Sequence, residues 1–181
     1  MNKWISLTMM VTLISFLSGC SNEVKNFIPN YAQESIIRNN IAKKITIKTI
    51  MPKNDKNAVM CRMNGNIYLP NKMTYSQYVE DAFKKSLVLA NRLADEGRNS
   101  HGLLITLTKV DFNSAIGKWY INADVKVNNN VPVEIKNTTS FGTEFFADAA
   151  CSSVANTFDR AVGNFVDEVL SNSTVVNHIK S

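Results

Sequence analysis

Lys118-Trp119-Tyr120-Ile121-Asn122-Ala123-Asp124-Val125-Lys126-Val127 is the stretch on which the fold turns. Trp119, Ile121, Ala123, Val125 and Val127 occupy every second position, with Lys118, Tyr120, Asn122, Asp124 and Lys126 between them. That is the period of a strand with one dry face and one wet face. Asn128-Asn129-Asn130 comes next, and because asparagine tolerates left-handed backbone, Val131, Val133 and Ile135 are expected to return antiparallel. Pro132 has no N–H to give to a ladder, so the returning strand starts at a sheet edge and extends towards Phe141.

Working outward, Leu103 to Phe112 precedes this hairpin as a further extended segment. Ile45-Thr46-Ile47-Lys48-Thr49-Ile50 is a β-branched strand that Pro52 ends, and Cys61 to Leu69 holds a short extended piece closed by Pro70. Between them and the hairpin, Thr74-Tyr75-Ser76-Gln77 matches a capping box. Tyr75, Tyr78, Val79, Ala82, Phe83, Leu87, Ala90, Leu93 and Ala94 then form one helical stripe, with Gly97 placed to cap it. A second stripe runs from Ala147 to Leu170 and includes Cys151, Val154, Phe158, Val162, Phe165 and Val169. This order predicts an α+β domain: a three- or four-stranded, mostly antiparallel sheet with two amphipathic helices packed on one face.

The 181 residues, 45% hydrophobic and 19% charged, describe one ordinary domain with appendages. Twenty Lys and Arg against 15 Asp and Glu give a net charge of +5, spread along the chain without a basic block, which does not suggest nucleic-acid binding.

At the N-terminus Lys3 precedes an apolar run from Trp4 to Leu17, which ends in Leu17-Ser18-Gly19-Cys20 and turns polar at Ser21. A spanning helix needs about 20 apolar residues, so the run reads as an export signal. Leu17-Ser18-Gly19-Cys20 resembles the lipobox of bacterial lipoproteins: a branched apolar residue, two small residues, then cysteine. The resemblance implies a signal peptide over 1–19, diacylglyceryl transfer to Cys20, cleavage before it and acylation of the freed amine. Several acyl chains anchor stably where one binds marginally. Ser21 resembles the pattern of lipoproteins sent to the outer membrane, which implies a domain facing the periplasm.

Once Cys20 is set aside, Cys61 and Cys151 remain as an even pair in an oxidising compartment and are expected to be bridged, two buried free thiols being the alternative. Residues 20–44, Asn-rich with Pro29 and scattered apolar positions, read as the lipidated N-terminus and a polar tether, with a short helix around Ala32 to Ile41 as an option. The domain is then expected over 45–172 and a tail over 173–181. The layout of lipobox, spacer, strand, long helix, meander and closing helix resembles small envelope lipoproteins of the YajG-like and ABC-transport-auxiliary kind, families in which the cysteine pair is not a defining feature.

Residues able to do chemistry are few. His101, beside Ser100 and Gly102, reads as a histidine in an exposed turn, and His178 lies near the tail. With two histidines, neither at ligand spacing from a cysteine, no metal site is expected. Ser152-Ser153 reads as a helix-start cap, Tyr75 and Tyr78 as half-buried core rim, and Asp111, Asp124, Asp159 and Glu168 as single exposed carboxylates. No catalytic residue and no cofactor beyond the lipid on Cys20 is expected. The leading expectation is a non-enzymatic accessory protein that binds an envelope protein or lipid carrier through its sheet face or open edge. The alternatives are an envelope hydrolase using a Ser or Asp near His101, and a surface antigen without a defined ligand.

Overall fold

The structure is a computed structural model and describes residues 22–95 and 101–181. In chain order its elements are β1 (Asn22–Glu23), α1 (Tyr31–Asn40), β2 (Ile45–Ile50), β3 (Ala58–Met60), β4 (Asn66–Tyr68), a 3-10 turn (Pro70–Lys72) and α2 (Tyr75–Leu89). They continue with β5 (His101–Asn113), β6 (Lys118–Val127), β7 (Val133–Ser140), α3 (Ala147–Ala155), α4 (Phe158–Ser171) and α5 (Ser173–Lys180).

The main sheet has the order β2-β5-β6-β7. β5, β6 and β7 form an antiparallel meander, whereas β2 joins β5 in parallel with Ile45 opposite His101. A small second sheet has the order β1-β4-β3. The α+β class and the mostly antiparallel sheet are therefore as the pattern of residues predicts, and Pro132 directly precedes an edge strand.

The alternation of β6 decides which side is dry: Trp119, Ile121, Ala123, Val125 and Val127 are all buried. β5 stays in phase with it through a bulge between Leu107 and Lys109, which returns Val110 and Phe112 to the inner face opposite Ile121 and Trp119. α2 packs on β2 and α4 on β6 and β7, on that same inner face. Four aromatic rings join the layers: Trp119 lies 4.6 Å from Phe158 and 5.0 Å from Phe112, and Phe158 lies 5.1 Å from Tyr78. The β5–β6 turn depends on Gly117, whose φ is +61° and where a Cβ would stand 2.2 Å from the Phe141 carbonyl oxygen.

Several expectations are corrected. The stretch from Asn22 to Lys44, read as a tether, belongs to the domain. Val24, Phe27, Ile37 and Ile41 are buried in the common core, and α1 packs against α4 and α2. Its start is fixed by a capping box in which Asn30 Oδ1 accepts from the Gln33 amide and Gln33 Oε1 accepts from the Asn30 amide. The supposed tail is α5, with Val175, Val176 and Ile179 buried and Asn172 as its N-cap. α2 ends at Leu89, earlier than its stripe suggests, because Asn91 turns left-handed (φ 55°). Leu93 then bridges to Ile45 beside β2, while Gly97 lies outside the described residues. The last stripe is two helices, broken at Asn156 and Thr157.

Candidate functional site

One end of the molecule is built around a five-residue turn. Cys61 leaves β3, Arg62 and Met63 take positive φ, the Asn64 amide donates to the Cys61 carbonyl, and the Cys61 amide donates to the carbonyl of Gly65. Cys61 is disulfide-bonded to Cys151 on α3, with both residues buried, so the expected bridge is present. Next to it Arg62 reaches two other loops. Its Nε donates to Ser114 Oγ at 2.9 Å and its Nη2 to the Ser114 carbonyl at 2.8 Å, both in the β5–β6 turn. Its Nη1 donates to the carbonyls of Glu144 and Phe145, ahead of α3, at 3.1 and 3.3 Å. A planar guanidinium with five donors in a fixed fork suits such a three-loop junction. On the far side of the bridge, Ser152 Oγ donates to Asn22 Oδ1 at 3.0 Å and fastens β1 to α3.

This arrangement also decides the roles of the other candidate residues. Ser152 and Ser153 sit within α3 and do not cap its start: Ser152 binds Asn22, and the Ser153 carbonyl accepts from Thr157 Oγ1. Tyr75 and Tyr78 are core residues, not rim, and Tyr78 donates its hydroxyl proton to the Lys25 carbonyl at 2.7 Å. Burial pushes both phenols well above the ordinary tyrosine range, with Asp111 adding to the effect on Tyr75 and Asp159 and Asp81 on Tyr78. The backbone of His101 opens β5 in the ladder with β2 and does not form a turn; its side chain lies outside the described residues. His178 is on α5 with its Nδ1 buried and unpartnered. Asp111 and Asp124 are on the outer face of the sheet, Asp159 and Glu168 on α4. Leu17, Ser18, Gly19, Cys20 and Ser21 lie outside the described residues.

A groove of about 210 Å³ lies between the chain entering α1 and α4. Gln33 spans it, with its Nε2 donating to the Gly163 carbonyl at 3.2 Å. Asp167, one turn further along α4, has a buried Oδ1 without a partner. Burial raises its pKa from the ordinary aspartate value, and the nearby Gln33 side chain opposes the rise. A broader, shallower hollow of about 600 Å³ continues past Lys25 and Pro70. Sequence reasoning missed Gln33 and Asp167, although the capping box Asn30 to Gln33 was a readable sign of α1.

The sheet's apolar face is covered by helices, so the surface it offers is the outer one. Lys109 lies there over the Tyr120 ring at 4.7 Å, and Lys136 pairs with Glu134 at 2.8 Å. The two edges differ. Along β2 the Thr49 amide donates to Glu80 on α2, while among the described residues no strand pairs with the outer side of β7.

No family model matches the chain, and no curated protein does. Solved structures share its fold. Protein XCC0632 from Xanthomonas campestris, described under the family model DUF330, is 14% identical with a TM-score of 0.54, over 85% of this chain and 93% of that one. A second crystal structure, of an uncharacterized protein, is 10% identical with a TM-score of 0.51, over 82% of this chain and 99% of that one. The likeness is one of fold alone.

Proposed function

We propose that the protein is an envelope lipoprotein, acylated on Cys20 and held at the outer membrane facing the periplasm, where it acts as a non-enzymatic accessory or binding protein. The observation that carries this reading is Leu17-Ser18-Gly19-Cys20 at the end of a short apolar run. The Cys61–Cys151 bridge supports it, since such bonds persist in oxidising compartments. The partner is an envelope protein that adds a strand or extended segment to the outer edge of β7, with which no described strand pairs, and where main-chain hydrogen bonds give affinity and alternate side chains give selectivity. Lys136, Glu134 and Thr138 flank that edge and favour a polar segment over an apolar one.

The test is intact-mass measurement of the protein extracted from membranes, beside Cys20→Ala. The expected result is a chain that begins at Cys20 and carries acyl chains, and a variant without them. A wild-type chain that retains Met1 or carries no acyl mass overturns the reading.

A further inference from the structure

We infer that the end of the molecule organised by Arg62 is its membrane-contacting surface, with Met63, Ile116, Phe145 and Phe146 set against the lipid. The inference rests on acylation of Cys20 and adds to it the orientation of the domain.

Phe145 and Phe146 are 91% and 71% exposed, stacked edge to face at 5.6 Å between centroids, while Met63 is 94% and Ile116 55% exposed. Large apolar side chains scattered singly over a surface are ordinary. These four sit on the three loops that one arginine ties together: Met63 follows Arg62, Ile116 shares its turn with Ser114, and Phe145 offers its carbonyl to Arg62. The loops are also joined directly, since the Phe141 amide donates to the Gly117 carbonyl at 2.8 Å. A cluster of exposed apolar side chains held on a braced base marks a contact surface.

The position of the N-terminal segment identifies what is contacted. β1 runs parallel to β4, with Asn22 opposite Ile67 and Glu23 opposite Tyr68, so the chain enters the small sheet from the side of the 61–65 turn. Cys20 precedes Asn22 by two residues, which span at most about 7 Å. Asn22 is itself clamped to Ser152, next to the disulfide. An acyl-bearing residue on so short a lead brings the bilayer to this end, and phenylalanines and methionine are side chains that enter the headgroup and acyl boundary. The β6–β7 turn with exposed Val131 is at the other end of β6, whose 10 residues span about 30 Å.

The experiment uses the full lipidated protein, extracted in detergent and reconstituted into phosphatidylcholine vesicles with or without brominated acyl chains. Phe145→Trp and Met63→Trp report from the proposed contact surface, and Val131→Trp from the far end; wild type supplies the background of buried Trp119. The expected result is that F145W and M63W lose at least half of their added emission in brominated vesicles while V131W loses none. Acylated protein in which all three variants behave alike overturns the orientation and leaves the anchor standing. A sample whose mass shows no acyl chain overturns both. Shielding of F145W that grows with surface density and accompanies crosslinked dimers assigns the surface to a second copy and overturns the lipid assignment.

Discussion

The indole nitrogen of Trp119 donates its hydrogen to the carbonyl oxygen of Val154 at 3.1 Å, tying the central strand β6 to the last turn of α3. Trp119 is 1% exposed and stands between the Phe112 and Phe158 rings, so the bond forms inside the aromatic cluster that joins sheet to helices. Trp119→Phe removes the donor and part of the ring volume together. The expected loss is about 2 to 3 kcal/mol of unfolding free energy, mostly from packing. Urea titration followed by far-UV circular dichroism checks it, and a midpoint unchanged from wild type would show that the cluster repacks freely.

The bridge between Cys61 and Cys151 closes a sequence separation of 90 residues. Constraint of the unfolded chain over such a loop is worth about 4 to 5 kcal/mol by the chain-entropy relation, before any native strain. The double variant Cys61→Ala/Cys151→Ala should lose most of that, and reductant should bring wild type to the same midpoint. Wild type that keeps its midpoint in reductant, as judged by equilibrium unfolding, would contradict the expectation.

Phe27 is 4% exposed, with its ring against Gly163 of α4. If residues before β2 were a spacer, Phe27→Ala would cost nothing. The structure predicts a loss of about 3 kcal/mol, the usual range for a buried aromatic reduced to alanine. Thermal unfolding of the variant beside an exposed control, Ile28→Ala, separates the two cases.

Asp167 gives a dependence on pH. Its folded pKa is raised by burial, so the unfolded chain gives up the proton first, and the stability linked to the neutral carboxyl is complete below the unfolded value and lost as pH rises through the folded one. Above that range wild type carries a half-buried charge. Asp167→Asn is expected to raise Tm by about 1 to 3 °C at pH 7, with the gain shrinking towards zero as the buffer is taken below the ordinary aspartate range. A gain that persists unchanged in acid would point to a cause other than ionisation.

The parts of the fold that could be read from sequence are those where one local rule acts alone. β6 showed its period because every second residue faces a single dry layer, and Thr74 and Gln77 announced α2 by a reciprocal cap. Val24, Phe27, Ile37 and Ile41 were concealed because they reach the core from separate short elements diluted by asparagine and lysine. Val175, Val176 and Ile179 span barely one turn, too little for periodicity to declare a helix. Arg62 had no signature at all: its partners Ser114 and Glu144 lie 52 and 82 residues away, and only the folded chain makes them neighbours. The pairing of Cys61 with Cys151 was readable because, once Cys20 is set aside by the lipobox resemblance, the sequence holds no other cysteine to choose.

β2 is the one strand of the main sheet whose neighbour arrives late. β5, β6 and β7 follow one another through short turns and can zip as successive hairpins, but Ile45 must wait for His101. Synthesis proceeds from the N-terminus, so β2 emerges with only α2 and Leu93 of its own half to pack against and bridge to, before its sheet neighbour β5 exists. Parallel pairing across a long crossover is slow and exposes such segments meanwhile. The order of strands therefore separates local from deferred pairing: the meander needs only its own successive turns, whereas β2 gains its sheet neighbour only once residues 101–113 are present.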